Sequence, residues 1–167
     1  MNKSNKAQPF VISKKPIRNS AKALIVEAGR LLTTRNRDLF GDFYLLPGGG
    51  QQHGETLDQA LKRECLEETG AEIEVGNLAL IREYLSANHQ FAEFDKTIHQ
   101  VEFMFVCKLN TPVLTHSITE ADSMQTGVEW LEISRLHEFR LYPAILIEML
   151  QKTPNLKFDR VYLGDIN

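Results

Sequence analysis

Apolar residues along this chain fall into short runs and alternations, broken once in the middle by a helical period. The run from Ala23 to Val26 marks residues 21–27 as a buried strand. Gly29-Arg30 predicts a turn, and residues 31–34 the returning arm of a hairpin. Residues 35–41 read as a polar loop, and 42–46 as a short strand stopped by Pro47 and Gly48-Gly49-Gly50. From Thr56 to Thr69 the spacing turns helical, with Leu57, Ala60, Leu61 and Cys65 on one stripe. Thr56 suits the N-cap and Gly70 the left-handed position past the end. Residues 72–84 read as a strand interrupted at Gly76-Asn77. In the strand expected over 97–109, Val101, Phe103, Phe105, Cys107 and Leu109 share one face; Glu102, Met104, Val106 and Lys108 share the other. Residues 85–96 and 110–126 read as long loops. A further strand is expected over 128–133, a short helical turn capped by Ser134, and a last helix opened by Pro143 with Ile145, Leu146, Met149 and Leu150 inward. The pattern is that of an α/β sandwich, with sheet held between a central and a C-terminal helix.

A chain of 167 residues, 43% hydrophobic, is enough for one domain with a real core. We expect a basic N-terminal arm over 1–19 and one domain over 20–167. The arm carries Lys3, Lys6, Lys14, Lys15 and Arg18 without an acid, yet the whole chain has a net charge of −3. An acidic body argues against general nucleic-acid binding, which needs a basic face. No apolar run approaches a membrane span, and Phe10-Val11-Ile12 is too short for a secretory core, so the expected address is cytoplasmic. Cys65 and Cys107 fall on apolar positions and are expected to be reduced and buried.

The central helix places acids where a structural helix would not. At about 100° per residue, Glu64 and Glu68 fall within about 20° of Leu57, on the apolar stripe, and Glu67 borders it. Like charges four residues apart repel, acids near a helix C-terminus oppose its dipole, and inward carboxylates lose hydration. A bound dication would relieve all three penalties, and hard oxygen ligands suit Mg²⁺ or Mn²⁺. An ordinary solvated acidic face with an Arg63–Glu67 pair is the plainer reading of the helix alone. The preceding glycines tip the balance. They let backbone carbonyls approach a cation, and their amides, near the helix start, favour phosphate.

Taken together, Gly49, Glu55, Arg63, Glu64, Glu67, Glu68 and Gly70 match the Nudix box, and the chain resembles the Nudix hydrolases, the family that includes MutT. At ordinary residue frequencies a chance match at one start is on the order of 10⁻⁸. Leu45-Leu46-Pro47-Gly48-Gly49 before the box and Val128-Glu129-Trp130-Leu131 after it also look like the family. Ala71 is small for the last apolar position of the box, and Tyr44 stands where many members have tryptophan.

The resemblance implies an α/β/α sandwich with a mixed sheet and hydrolysis of a nucleoside diphosphate linked to another moiety, with Mg²⁺ or Mn²⁺ required. It implies Glu64, Glu67, Glu68 and the Gly48 carbonyl as metal ligands, with Arg63 holding the carboxylates and Glu55 bracing the loop. The general base is open among Glu64, Glu68 and a distant loop acid; Glu120, also a candidate metal ligand, and Asp122 stand before Glu93. Arg35 and Arg37, with Gly49 and Gly50, are candidates for phosphate, and Tyr44, Phe91 and Phe94 for stacking on a base or ribose. His53 reads as a solvated loop residue. The expected partner is a small nucleotide such as a nucleoside triphosphate, ADP-ribose or a nucleotide sugar, with no membrane; a homodimer is possible. The alternatives are a catalytically silent nucleotide sensor and a factor acting on RNA 5′ ends.

Overall fold

The computed structural model describes residues 16–90, 92, 96–113 and 124–167. Two sheets lie between two helices. One has four strands in the order β1 (Arg18–Leu24), β6 (His99–Leu109), β5 (Ile73–Leu85) and β9 (Tyr162–Asp165). The other runs β2 (Val26–Glu27), β3 (Arg30–Asp38), β4 (Gly41–Leu45) and β8 (Leu141–Tyr142), with β7 (Gln125–Glu132) on the opposite edge of β3. Helix α1 spans Leu57–Thr69 and α2 spans Ile145–Lys152. Each helix closes one core. Leu61 and Cys65 of α1 pack with Ala21, Ala23, Ile25, Leu32 and Phe105. Leu146 and Leu150 of α2 pack with Leu24, Leu80, Met104, Leu131 and Leu141. The expected α/β/α sandwich with mixed pairing is therefore present. No helix among the described residues is long and apolar enough to cross a membrane.

Helix α1 begins and ends on its own local signals. The Thr56 side chain accepts from Gln59 N, and the Gln59 side chain accepts from Thr56 N at 2.8 Å, a reciprocal capping box. Gly70 closes the helix, its N–H donating to Leu66 O.

Other expectations are corrected. Residues 35–41 are not a loop, because β3 continues to Asp38 and pairs Arg35 with Tyr44 and Arg37 with Asp42. The buried Asn36 satisfies itself locally, donating to Thr34 Oγ1 at 3.1 Å, so polar composition does not break the strand. The interruption at Gly76-Asn77 is absorbed as register shifts within one long β5. Ser134 caps nothing; the 3₁₀ turn Ile133–Glu138 has no side-chain cap and is pinned by Ile133 N donating to Gly29 O at 3.0 Å. Strand β1 takes in Arg18 and Asn19 from the stretch read as an arm. Cys65 and Cys107 are buried thiols as expected, and burial pushes the Cys107 thiol up to about 12.

Thr56→Ala removes the cap of α1 and should cost about 1 kcal/mol of stability, measured as a lowered denaturant midpoint at unchanged slope.

Candidate active site

Strand β1 is an edge of its sheet, and the segment from Pro47 to Gln51 lies along its open side. Ala23 N donates to Pro47 O at 2.8 Å, Ala21 N to Gly49 O at 2.9 Å, and Gln51 N to Asn19 O at 3.1 Å. This backbone pairing fixes the glycine segment against β1 and beside α1. At Gly48 the fit leaves no room for a side chain, and at Gly49 a side chain would displace a carboxylate. A Cβ on Gly48 would stand 2.2 Å from Ala21 O, and φ there is +121°. A Cβ on Gly49 would stand 2.3 Å from Glu64 Oε2.

Arg63 gathers the acids. Its Nε donates to Glu55 Oε1 at 2.7 Å and its Nη2 to Glu55 Oε2 at 3.0 Å, a two-pronged contact. Nη2 also reaches Gly50 O at 3.1 Å, and Nη1 reaches Glu64 Oε1 at 2.8 Å and Glu67 Oε2 at 3.1 Å. Glu55 in turn ties the loop, accepting from Gln52 N at 2.9 Å, while its carbonyl accepts from the Gln51 side chain at 2.7 Å. The Arg63 guanidinium, then the Gln52 amide, hold the Glu55 carboxyl at about 2. Glu55 raises the Arg63 pKa in return. Glu68 points at the glycine segment, its Oε2 accepting from Gly48 N at 2.7 Å.

Glu55, Arg63, Glu64, Glu67, Glu68 and Gly48 to Gly50 thus lie together. Among the described residues, no three carboxylate, imidazole or thiol side chains close around one point as metal ligands. The reason is visible: Glu64 and Glu67 are turned onto Arg63, and Glu68 onto Gly48 N. The donors nonetheless fit a hard dication in kind, since all are carboxylate or carbonyl oxygens within one turn of helix and its adjoining loop. The Gly48 carbonyl already faces a cation, the Lys22 ammonium, which donates to it.

The residues expected to touch substrate fare differently. Tyr44 is corrected as a stacking surface: it is 7% exposed and packs edge-on against Phe139, with only its hydroxyl reaching Glu129 at 3.3 Å. Arg37 is paired with Asp42 at 2.6 Å, and Arg35 donates to Thr126 Oγ1 at 3.3 Å. Neither donates to the carboxylates of α1. Phe91, Glu93, Phe94, Glu120 and Asp122 lie outside the described residues. His53 is exposed, as expected. It lines a cleft of about 890 Å³ together with Arg18, Asn19, Gln51, Glu55 and His99. Sequence reasoning missed this cleft and missed Lys22. A charged residue inside the run AKALIV was the available signal.

The comparisons agree with this geometry. The NUDIX domain model matches residues 16–151. A NUDIX hydrolase from Nitrosomonas europaea is 18% identical, covers 85% of this chain and 91% of its own, and superposes with a TM-score of 0.65. An ADP-ribose pyrophosphatase from Streptococcus suis is 15% identical, with coverage of 90% and 100% and a TM-score of 0.61. A UDP-X diphosphatase is 20% identical, with coverage of 90% and 68% and a TM-score of 0.61. No curated protein matches the sequence. At these identities the solved structures speak for the fold, while the domain match spans most of the chain. The chain belongs to the Nudix family, and its class is that of the Nudix hydrolases.

Glu55 is depressed from an ordinary 4.5 to about 2, so it adds stability above pH 4.5 that is lost as pH falls toward 2. Over that window the wild type should lose melting temperature faster than Glu55→Gln; parallel acid profiles would contradict the pairing.

Proposed function

We propose that this protein is a metal-dependent pyrophosphohydrolase. It cleaves the anhydride of a nucleoside diphosphate joined to another group. One observation carries the reading: Arg63 presents Glu64 and Glu67 on one face of α1, beside Glu68 and the Gly48 carbonyl, and its partner Glu55 lines the neighbouring open cleft. Glu64, Glu67, Glu68 and the Gly48 carbonyl are the residues that would hold Mg²⁺ or Mn²⁺. Bound there, the metal supplies charge neutralisation at the diphosphate and a lowered pKa for the attacking water. Arg63 and Glu55 position, since they hold the carboxylates and the loop without offering a ligand of their own. The attacking water forms a new bond to one phosphorus and gives its proton to a carboxylate base, Glu64, Glu68 or an acid of a distant loop. The P–O bond of the anhydride breaks, and its electrons leave with the departing phosphate.

The cleft falls within the usual size for small-molecule sites, roughly 300–1,000 Å³, and its polar lining of Arg18, Asn19, Gln51, His53 and His99 suits ribose and phosphate. His99 is oriented by Glu83 at 2.7 Å. Similarity to proteins named for ADP-ribose and UDP-linked substrates supports a nucleotide attached to a second moiety.

A panel of nucleoside triphosphates, ADP-ribose and nucleotide sugars, incubated with Mg²⁺ or Mn²⁺ and resolved by chromatography, should yield products of anhydride cleavage. Glu67→Gln and Glu68→Gln should each lower kcat by about 10²-fold. Wild-type rates in both variants would overturn the ligand assignment.

A further inference from the structure

Lys22 sits in β1 between Ala21 and Ala23, which belong to the α1 core. Its own register partner is Met104, and the next residue on its face, Leu24, belongs to the α2 core with Met104 and Leu80. A lysine here is out of keeping with its strand unless its head has a purpose. The head donates to the Gly48 carbonyl oxygen. The backbone of β1 passes so close to Gly48 that a Cβ there would lie 3.0 Å from Lys22 Cα, so the contact is built into the pairing of loop and strand. Gly48 is consequently held between opposite charges: an ammonium at its carbonyl and the Glu68 carboxylate, 2.7 Å away, at its amide.

The Lys22 charge is also felt, through space, by one buried carboxylate. Burial pushes the Glu102 carboxyl up, and Arg82 followed by Lys22 brings it below its ordinary value. A dication on the Gly48 carbonyl would meet the Lys22 ammonium on the same oxygen, and two cations so placed repel strongly.

We propose that Lys22 is the resident counter-ion of the metal-ligand loop: its ammonium holds the Gly48 carbonyl while no dication is bound, and must leave when one binds. This rests on the metal reading above. Lys22 is thus a positioning residue that weakens intrinsic metal affinity. Arg63 does for the carboxylates what Lys22 does for the carbonyl, and together they keep the donors ordered without metal.

The test is a calorimetric titration of the full chain with MnCl₂, without nucleotide, in wild type and in Lys22→Met, which keeps an unbranched chain and removes the charge. The wild type should bind Mn²⁺, and Lys22→Met should bind it roughly ten-fold tighter. Lys22→Arg should retain the weaker wild-type affinity. Circular dichroism melts establish folding, and Lys22→Gln replaces Lys22→Met in the comparison if the latter does not fold. Equal or weaker binding by the uncharged variant would overturn the counter-ion role and leave the metal site standing. Absence of Mn²⁺ binding in wild type and variants alike would remove the metal reading and this inference together.

Discussion

The guanidinium of Arg63 is the point on which the site turns. An arginine side chain has five N–H groups, and each of these five has an acceptor: two on Glu55, one each on Glu64 and Glu67, and the Gly50 carbonyl. The group is planar, so spending all its donors fixes the helix, the turn ahead of it and the glycine segment in a single relation. Glu64 and Glu67 are neighbours on one helix face and repel; the shared Nη1 between them offsets that repulsion. A lysine has three donors on a rotatable head and could not bind the same set in the same plane.

A second constraint acts through backbone alone. The glycine segment is paired to the edge of β1 by three amides of the loop and strand, so its carbonyls and N–H groups are aimed before any ligand arrives. Gly48 is needed there because the backbone of β1 occupies the space a side chain would take, and a side chain at 49 would displace the Glu64 carboxylate. Edge strands are otherwise open to unwanted pairing, and here the functional segment is also the cover. Site and fold are therefore hard to separate, since the pairing that protects the sheet is the pairing that shapes the loop.

Helix α1 was legible because its signals are local. Thr56, Gln59 and Gly70 mark its ends within the helix itself, and the spacing of its acids follows directly from the helical period. The parts that were not legible depend on partners far along the chain. Polar Arg35 to Asp38 read as loop because the strands that pair with it, β4 and β7, are not evident from its own composition. Strand β9 is four residues of mixed polarity that exists only by parallel pairing with β5. Tyr44 could be assigned a stacking role from sequence because nothing in its surroundings announces Phe139. Glu102 alternates as an outward residue should, yet both faces of its sheet are covered and it is only 6% exposed. The carboxylates of the site could be named from the chain. Their common dependence on one arginine, and the ammonium at Gly48, needed the fold.

That buried glutamate also governs a segment far from it along the chain. Glu102 accepts from Arg82 at 2.6 Å inside the sheet, and Arg82 uses a second nitrogen to reach Ile166 O, also at 2.6 Å. Buried ions tolerate pairing but not abandonment; a lost partner typically costs about 3–5 kcal/mol. Ile166, just past β9, is consequently stitched to the interior by an ion, although it lies 84 residues from Arg82 along the chain.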